Sequence, residues 1–287
     1  MTDYKIEEGL VFQSINSGGW KQVDFFPTPN QGGLMRPKFL VIHYTAGAMD
    51  AHGTAAYFQK PEAKVSAHLN LSRDGTLTQS VSLETKAYHA GKSTWAGINN
   101  LNDCSIGIEV CNPGPLTMTK GGYKTWWGAN WPADNVIEAP HQNNPSGPVY
   151  GWEMFTPEQN EVLLALGKVI VERFKIVEVV GHDMISPGRK TDPGPAMNHR
   201  IYDQLNNSRA DDNISFSWYV SKVNDYLNGR SGPGTNYSVV QQLPKGTELD
   251  IISKRGEWWF VENPTGQQMW VHSRFLGSRI VDSRINK

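Results

Sequence analysis

Phe39-Leu40-Val41-Ile42-His43 is a short apolar run that stops on a titratable side chain. A continuous apolar run of this length reads as a strand buried on both faces, inside a parallel or mixed sheet. A helix should follow, opened by Asp50 and closed before Pro61, because proline disfavours helical geometry in the residue ahead of it. Next, His68–Arg73 and Thr76–Val81 flank Asp74-Gly75, a strong hairpin signal. Ile106–Val110 reads as a further strand. The clearest helix opens at Thr156-Pro157-Glu158-Gln159: Thr156 can cap, Pro157 suits the first helical position, and Gln159 completes a capping box. Val162, Leu166, Val169, Ile170 and Phe174 then recur on one face. Strand Val177–Val180 comes after it and runs straight into Gly181-His182. Strands interleaved with helices predict an α/β fold, a mixed central β-sheet flanked by helices.

The chain has 287 residues, enough for one large domain or for a medium domain plus a small one. Hydrophobic residues make up 38% and charged residues 19%, a globular balance. The formal net charge of −1 removes the bulk electrostatic case for a nucleic-acid partner. No apolar run is long enough for a membrane span. Residues 1–12 lack the basic region, apolar stretch and small-residue cleavage site of a secretory signal. Synthesis in the cytoplasm without a Sec signal is therefore expected. Action outside the cytoplasm would then follow lysis or non-classical export, and a monomer is expected. Cys104 and Cys111 are too few for a disulfide framework and read as free structural thiols.

Residues 113–155 interrupt the pattern with six Pro, six Gly and four Trp, and read as an irregular insertion: a flap, a lid or a plain surface excursion. From 206 to 217 the chain is polar and reads as a linker. Domain boundaries are accordingly expected at 1–205, 206–217 and 218–287, the last a small all-β barrel with turns at Arg230–Gly234, Pro244–Gly246 and Asn263–Gly266.

A catalytic zinc takes about three protein ligands and leaves a position for water. His43 and His182 each end a strand, where parallel pairing would bring them together, and Asp192 lies ten residues on in a Pro/Gly-rich loop. On spacing alone, a structural histidine remains the commoner reading.

The wording of the segments adds more. Leu40-Val41-Ile42-His43-Tyr44-Thr45-Ala46, Val65-Ser66-Ala67-His68-Leu69, Ala87-Tyr88-His89-Ala90-Gly91, Ser105-Ile106-Gly107-Ile108-Glu109, and Gly181-His182 followed by Lys190-Thr191-Asp192-Pro193-Gly194-Pro195 occur in one order. Together they resemble the zinc N-acetylmuramoyl-L-alanine amidase family, which includes phage T7-type lysozyme, peptidoglycan recognition proteins and AmpD-like amidases. The resemblance implies Zn2+ held by His43, His182 and Asp192, with Glu109 as catalytic base and Lys190 stabilising the oxyanion. Tyr44 and His89 are expected to line the substrate. Ala67 departs from the tyrosine that many phage and recognition-protein relatives carry before the histidine aligned with His68. An Asp as third ligand also looks like the AmpD branch.

Tyr226–Tyr237, Leu243–Gly246, Trp258-Trp259 and Trp270–Ser273 resemble the bacterial SH3 (SH3b) fold, whose implied partner is peptidoglycan. Tyr226, Arg230 and Tyr237 are the candidate wall-binding residues, and Trp259 and Trp270 are expected to be half core and half surface. Three functions compete on this evidence. One is a wall-lytic amidase targeted by the SH3b domain, as in a phage-type endolysin, a remodelling enzyme or an antibacterial effector. The others are a cytosolic amidase recycling anhydro-muropeptides and a non-catalytic peptidoglycan sensor.

Overall fold

The computed structural model describes residues 2–47, 49–206, 214–220, 222–255 and 257–282. Two compact units result: Met1–Gly114, Phe155–Pro193 and Gln204–Asn206 in one, and Pro115–Met154, Gly194–Asp203 and Asn207–Lys287 in the other. No helix among the described residues is long and apolar enough to cross a membrane.

The first unit is built on a six-stranded mixed sheet in the order Glu178–Gly181, Phe39–Tyr44, Ser105–Val110, Leu69–Leu71, Leu77–Gln79, Asp24–Phe25. Its first four strands run parallel, and Leu69–Leu71 turns back antiparallel into Leu77–Gln79 through the Asp74-Gly75 hairpin. Parallel strands are covered on both faces, which explains their unbroken apolar character. Val41, Ile42, Leu69, Leu71, Ile106 and Ile108 are all shut off from solvent. Helix Ala51–Phe58 starts where Asp50 accepts the Gly53 N–H at 2.7 Å. Helix Pro157–Phe174 starts with both halves of its capping box closed between Thr156 and Gln159, and buries Val162, Leu163, Leu166 and Ile170. Residues 2–22, which carry no clear sequence signal, form a three-stranded antiparallel meander of Tyr4–Glu7, Leu10–Ser14 and Trp20–Gln22. Cys104 and Cys111 are free and buried; burial pushes the Cys111 thiol up to about 12.

In the second unit the structure departs from expectation. Residues 115–154, read as irregular, form a five-stranded antiparallel sheet from Pro115–Thr119, Gly122–Lys124, Asn130–Trp131, Val136–Pro140 and Val149–Glu153. Each strand has five residues or fewer, so no periodicity develops along any one of them. Trp152 is buried there and donates its indole N–H to the Ala139 carbonyl at 2.9 Å.

The C-terminal sheet has seven strands in the order Val239–Pro244, Tyr226–Arg230, Gln268–His272, Trp258–Glu262, Glu248–Arg255, Ile214–Val220, Leu276–Asp282. Its strand Ile214–Val220 begins inside the segment read as linker, and residues 207–213 of that segment lie outside the described residues. Val220, Leu227, Leu243, Leu249, Val261 and Val271 form the core, with Trp259 half-buried against it. Trp270 is wholly buried and not half exposed as expected, because its indole N–H donates to the Glu138 carbonyl at 3.0 Å. The 115–154 sheet thus supplies the cover that a free-standing barrel would lack.

His68 lies fully buried within the first unit's sheet. Its Nδ1 accepts the Gly107 N–H at 2.9 Å, and its Nε2–H donates to the Thr85 carbonyl at 2.8 Å. Burial pushes its pKa down to about 4, against an ordinary value of 6.5. Between those values the unfolded chain binds a proton that the folded ring refuses, so stability falls as pH drops through the window. We expect the melting temperature to fall from pH 6.5 towards pH 4. In His68→Gln, which keeps a donor and an acceptor but does not titrate, the slope should be shallower, and an unchanged slope would contradict this account.

Candidate metal centre

Strand register places the site. Across the parallel pairs, Glu109 stands opposite His43, and Gly181 opposite Ile42, so His182 follows at the level of His43. His182 opens the short helix His182–Ile185 directly after its strand. Asp192 returns on the following loop, tied down where the Asp183 N–H donates to the Asp192 carbonyl at 2.7 Å. Asp192 Oδ2 lies 2.8 Å from His43 Nδ1 and 2.8 Å from His182 Nδ1, and the two Nδ1 atoms lie 2.9 Å apart. All three side chains are buried.

The proton positions follow from carbonyls, which only accept. His182 Nε2 sits 3.0 Å from the Ala90 carbonyl, nearer than the Arg189 Nη2 at 3.3 Å that donates to the same oxygen, so Nε2 carries the hydrogen and Nδ1 is bare. His89 Nε2 faces the Ser105 carbonyl at 3.2 Å, so His89 Nδ1 is bare and accepts from His43 Nε2 at 3.0 Å. His43 Nδ1 is then bare as well. Burial, reinforced by His182, pushes His43 down to about 4, and burial together with His43 holds His89 well below the ordinary range. Two bare nitrogens and a carboxylate oxygen therefore crowd together, three acceptors with no donor among them. Such a donor set fits a metal cation, with neutral imidazoles whose far nitrogens are anchored as metal-ligating histidines' are.

Glu109 Oε2 is shut off from solvent and has no hydrogen-bond partner. Burial, and secondarily the Asp192 charge, raise its pKa well above the ordinary value, while the Lys190 charge works the other way. Lys190 thus lies within electrostatic reach of both Glu109 and His43. The two residues expected to line the substrate both lie beside the candidate ligands. Tyr44 hydrogen-bonds Thr191 Oγ1 at 2.5 Å, bracing the loop that carries Asp192. His89 stands behind His43 with both nitrogens occupied by protein, not along an open wall.

Two functional contributions go unmarked in the sequence reading. Gly107 lies against the His89 ring, and a Cβ there would come within 2.5 Å of it, so only glycine admits the imidazole. Arg189 donates to the Ala90 carbonyl at 2.9 Å, the same oxygen that orients His182, and to Ser186 Oγ at 2.7 Å. Gly107 lies inside the quoted Ser105–Glu109 motif and Arg189 adjoins Lys190, but nothing short of the contacts reveals either role.

In the barrel, Tyr226 and Arg230 line one open groove. Tyr237 does not line it: its ring packs on Gly232, and its carbonyl accepts from Arg230 Nη1 at 2.7 Å.

The family model of N-acetylmuramoyl-L-alanine amidases matches residues 33–195, and that of bacterial SH3 domains matches residues 225–277. The chain belongs to the N-acetylmuramoyl-L-alanine amidase family and carries a bacterial SH3 domain after the amidase region. It is 31% identical over 210 residues to N-acetylmuramoyl-L-alanine amidase AmiD of Escherichia coli (strain K12), covering 70% of this chain and 62% of AmiD. It is 27% identical over 152 residues to 1,6-anhydro-N-acetylmuramyl-L-alanine amidase AmpD of Salmonella typhimurium (strain SL1344), covering 52% of this chain and 62% of AmpD. The chain therefore spans about three fifths of the length of these curated relatives. A solved complex of E. coli AmiD with the substrate anhydro-N-acetylmuramic acid-L-Ala-D-gamma-Glu-L-Lys aligns at 28% identity, TM-score 0.44, over 69% of this chain and 66% of AmiD.

The role of His89 is open to direct measurement. His89→Ala should weaken metal binding about 10- to 100-fold, the usual effect of losing a ligand's outer partner. Gly107→Ala should do likewise by displacing the ring. Competition against a chromophoric chelator reads both, and wild-type affinity in the two variants would show that the His43 tautomer is held some other way.

Proposed function

We propose that this chain is a zinc-dependent N-acetylmuramoyl-L-alanine amidase that cuts the amide between N-acetylmuramic acid and L-alanine in peptidoglycan, with the SH3-type barrel holding it to the wall. The observation that carries the reading is the convergence of His43 Nδ1, His182 Nδ1 and Asp192 Oδ2, with the partnerless Glu109 Oε2 one strand away on the same rung. His43, His182 and Asp192 would hold the ion, since two imidazoles and a carboxylate suit zinc and leave a position open. Zinc supplies Lewis acidity and brings the pKa of water towards about 7.

The protein's own groups do the remaining chemistry. Glu109, its proton affinity raised by burial, takes a proton from the attacking water at Oε2 and returns it to the departing L-alanine nitrogen. Lys190 offers its ammonium to the oxyanion developing on the carbonyl oxygen, a role in which loss of one donor costs about 2.7–4 kcal/mol. The Tyr44–Thr191 hydrogen bond keeps the Lys190–Asp192 loop in place while charge builds. The products are an N-acetylmuramoyl sugar and a free stem peptide.

The relatives named AmpD, amidases of 1,6-anhydro-N-acetylmuramyl-L-alanine, favour a second reading, in which soluble anhydro-muropeptides are the substrate. A barrel that binds wall argues for the polymer, because a soluble fragment gains nothing from a second attachment point. A non-catalytic sensor would have no use for the complete ligand set, Glu109 and Lys190.

Purified sacculi and soluble anhydro-muropeptides digested in parallel, with and without chelator, separate these readings by mass spectrometry. Chelator-sensitive release of stem peptides from intact glycan strands is the expected result. Cleavage of the soluble fragments alone would shift the assignment to recycling, and cleavage of neither would end the amidase reading. Glu109→Gln should retain metal and fold while turnover drops about 100-fold or more. Wild-type turnover in that variant would remove Glu109 from the mechanism.

A further inference from the structure

Strand pairing in the barrel sets three polar residues on one level. Asp250 stands opposite Glu262, and Glu262 opposite Gln268, the last pair before the Asn263–Gly266 turn. That turn is fixed by its own bonds: Asn263 Oδ1 accepts the Thr265 and Gln267 N–H groups at 3.0 and 2.9 Å. Glu262 and Gln268 are 1% and 5% exposed, and the Gln268 Nε2–H donates to Glu262 Oε2 at 2.9 Å. The other two oxygens, Glu262 Oε1 and Gln268 Oε1, are shut off from solvent and have no hydrogen-bond partner. With Glu262 ionised both are acceptors, so neither can satisfy the other. One proton removes the conflict. A carboxylic acid and a primary amide close a ring of two bonds, the amide N–H to one carboxyl oxygen and the carboxyl O–H to the amide oxygen.

The surroundings favour that proton. Burial pushes the Glu262 carboxyl up to about 7; the Gln268 bond and the Arg200 charge work against it, and the Asp250 and Asp203 charges add to it. Arg200 and Asp203 lie in the helix His199–Asn206, whose residues 199–203 belong to the same unit as the barrel. Arg200 Nε pairs with Asp250 Oδ2. His199, which opens this helix, stays neutral at neutral pH because burial pushes it down to about 4. One guanidinium therefore acts on three carboxyl groups, and Asp250 already holds it.

We propose that Glu262 and Gln268 form a proton-binding site inside the barrel, and that the bound proton operates a latch on the start of the helix His199–Asn206. With the proton in place the acid–amide ring is closed and Arg200 stays with Asp250, clamping the helix start to the barrel. When the proton leaves to water, a buried carboxylate stands beside Asp250 with one guanidinium between them, and the clamp slackens. The sign follows from linkage. The closed state keeps its proton at pH values where an opened, hydrated Glu262 has released it, so closure is best supported at low pH and loses that support as pH rises. With 4.5 in the opened state and about 7 in the closed one, opening becomes about tenfold easier between pH 6 and pH 8.

Two measurements on the full chain test the proton and the latch separately. Infrared difference spectra between pH 6 and pH 8 should show a protonated-carboxyl band that is lost as pH rises and is missing from Glu262→Gln. Hydrogen exchange, resolved by peptide and corrected for its intrinsic pH dependence, follows residues 199–203 and 258–272 apart from the first unit, where His68 acts. Protection there should fall about tenfold from pH 6 to pH 8. Glu262→Gln puts an amide where the acid was, so the ring with Gln268 can close but cannot titrate; its protection should stay at the wild-type pH 6 level throughout. Arg200→Gln, at the partly exposed end of the clamp, should keep the infrared band yet lose protection over 199–203 at both pH values. No band in the wild-type protein would overturn the proton site and the latch with it. A band accompanied by constant protection would overturn the latch. A tenfold loss that persists in Glu262→Gln would overturn it as well, because another group would then be titrating. The two wild-type measurements decide the outcome even if a variant fails to fold.

Discussion

The parallel pairing of Glu178–Gly181, Phe39–Tyr44 and Ser105–Val110 is the constraint on which the site depends. In a parallel ladder, side chains at one level share a face, so backbone hydrogen bonds bring His43 and Glu109 to one sheet edge, and His182 follows one residue past the last paired position of its strand. A slip of one residue in either pair would turn Glu109 or His182 away. The apolar runs that hold this register are buried on both faces, so the slip would also carry core side chains out of their packing.

Around that rung the structure is organised by where protons cannot be. The Ser105 and Ala90 carbonyls accept hydrogens from His89 and His182, and His89 in turn fixes His43. Each of these oxygens belongs to backbone held by other means: Ser105 begins a central strand, and Ala90 is fastened by Arg189 and by Asn102. The electronic state of the candidate ligand set therefore rests on main-chain carbonyls, relayed to His43 by the His89 side chain.

What is legible in the sequence is what local chemistry decides. Thr156 to Gln159 announces its capping box, Asp74-Gly75 its turn, and the run ending at His43 its buried strand; all three stand as read. The candidate ligand triad is suggested by two histidines at strand ends and an aspartate on the loop after them, and only the order of motifs around it lifts it above a set of structural histidines. What escapes sequence reading depends on distant partners. The strands of 115–154 are too short to show a period and find their pairing in one another. Trp270 looks half exposed because the carbonyl it meets lies far away in the chain, at Glu138. His89 carries the right letter in the right motif, yet the direction its nitrogens face depends on Gly107 having no side chain.

The Trp270–Glu138 hydrogen bond also bears on what counts as a part of this protein. Read along the chain, the amidase region is one block with an excursion in it, and the barrel is a second block that could be exchanged for another. Packing groups the excursion with the barrel. A transplanted barrel that left residues 115–154 behind would arrive with a bare tryptophan face, and the donor chain would keep an orphaned sheet. The exchangeable piece is therefore discontinuous, and recombination that respects it must cut the gene in more than one place.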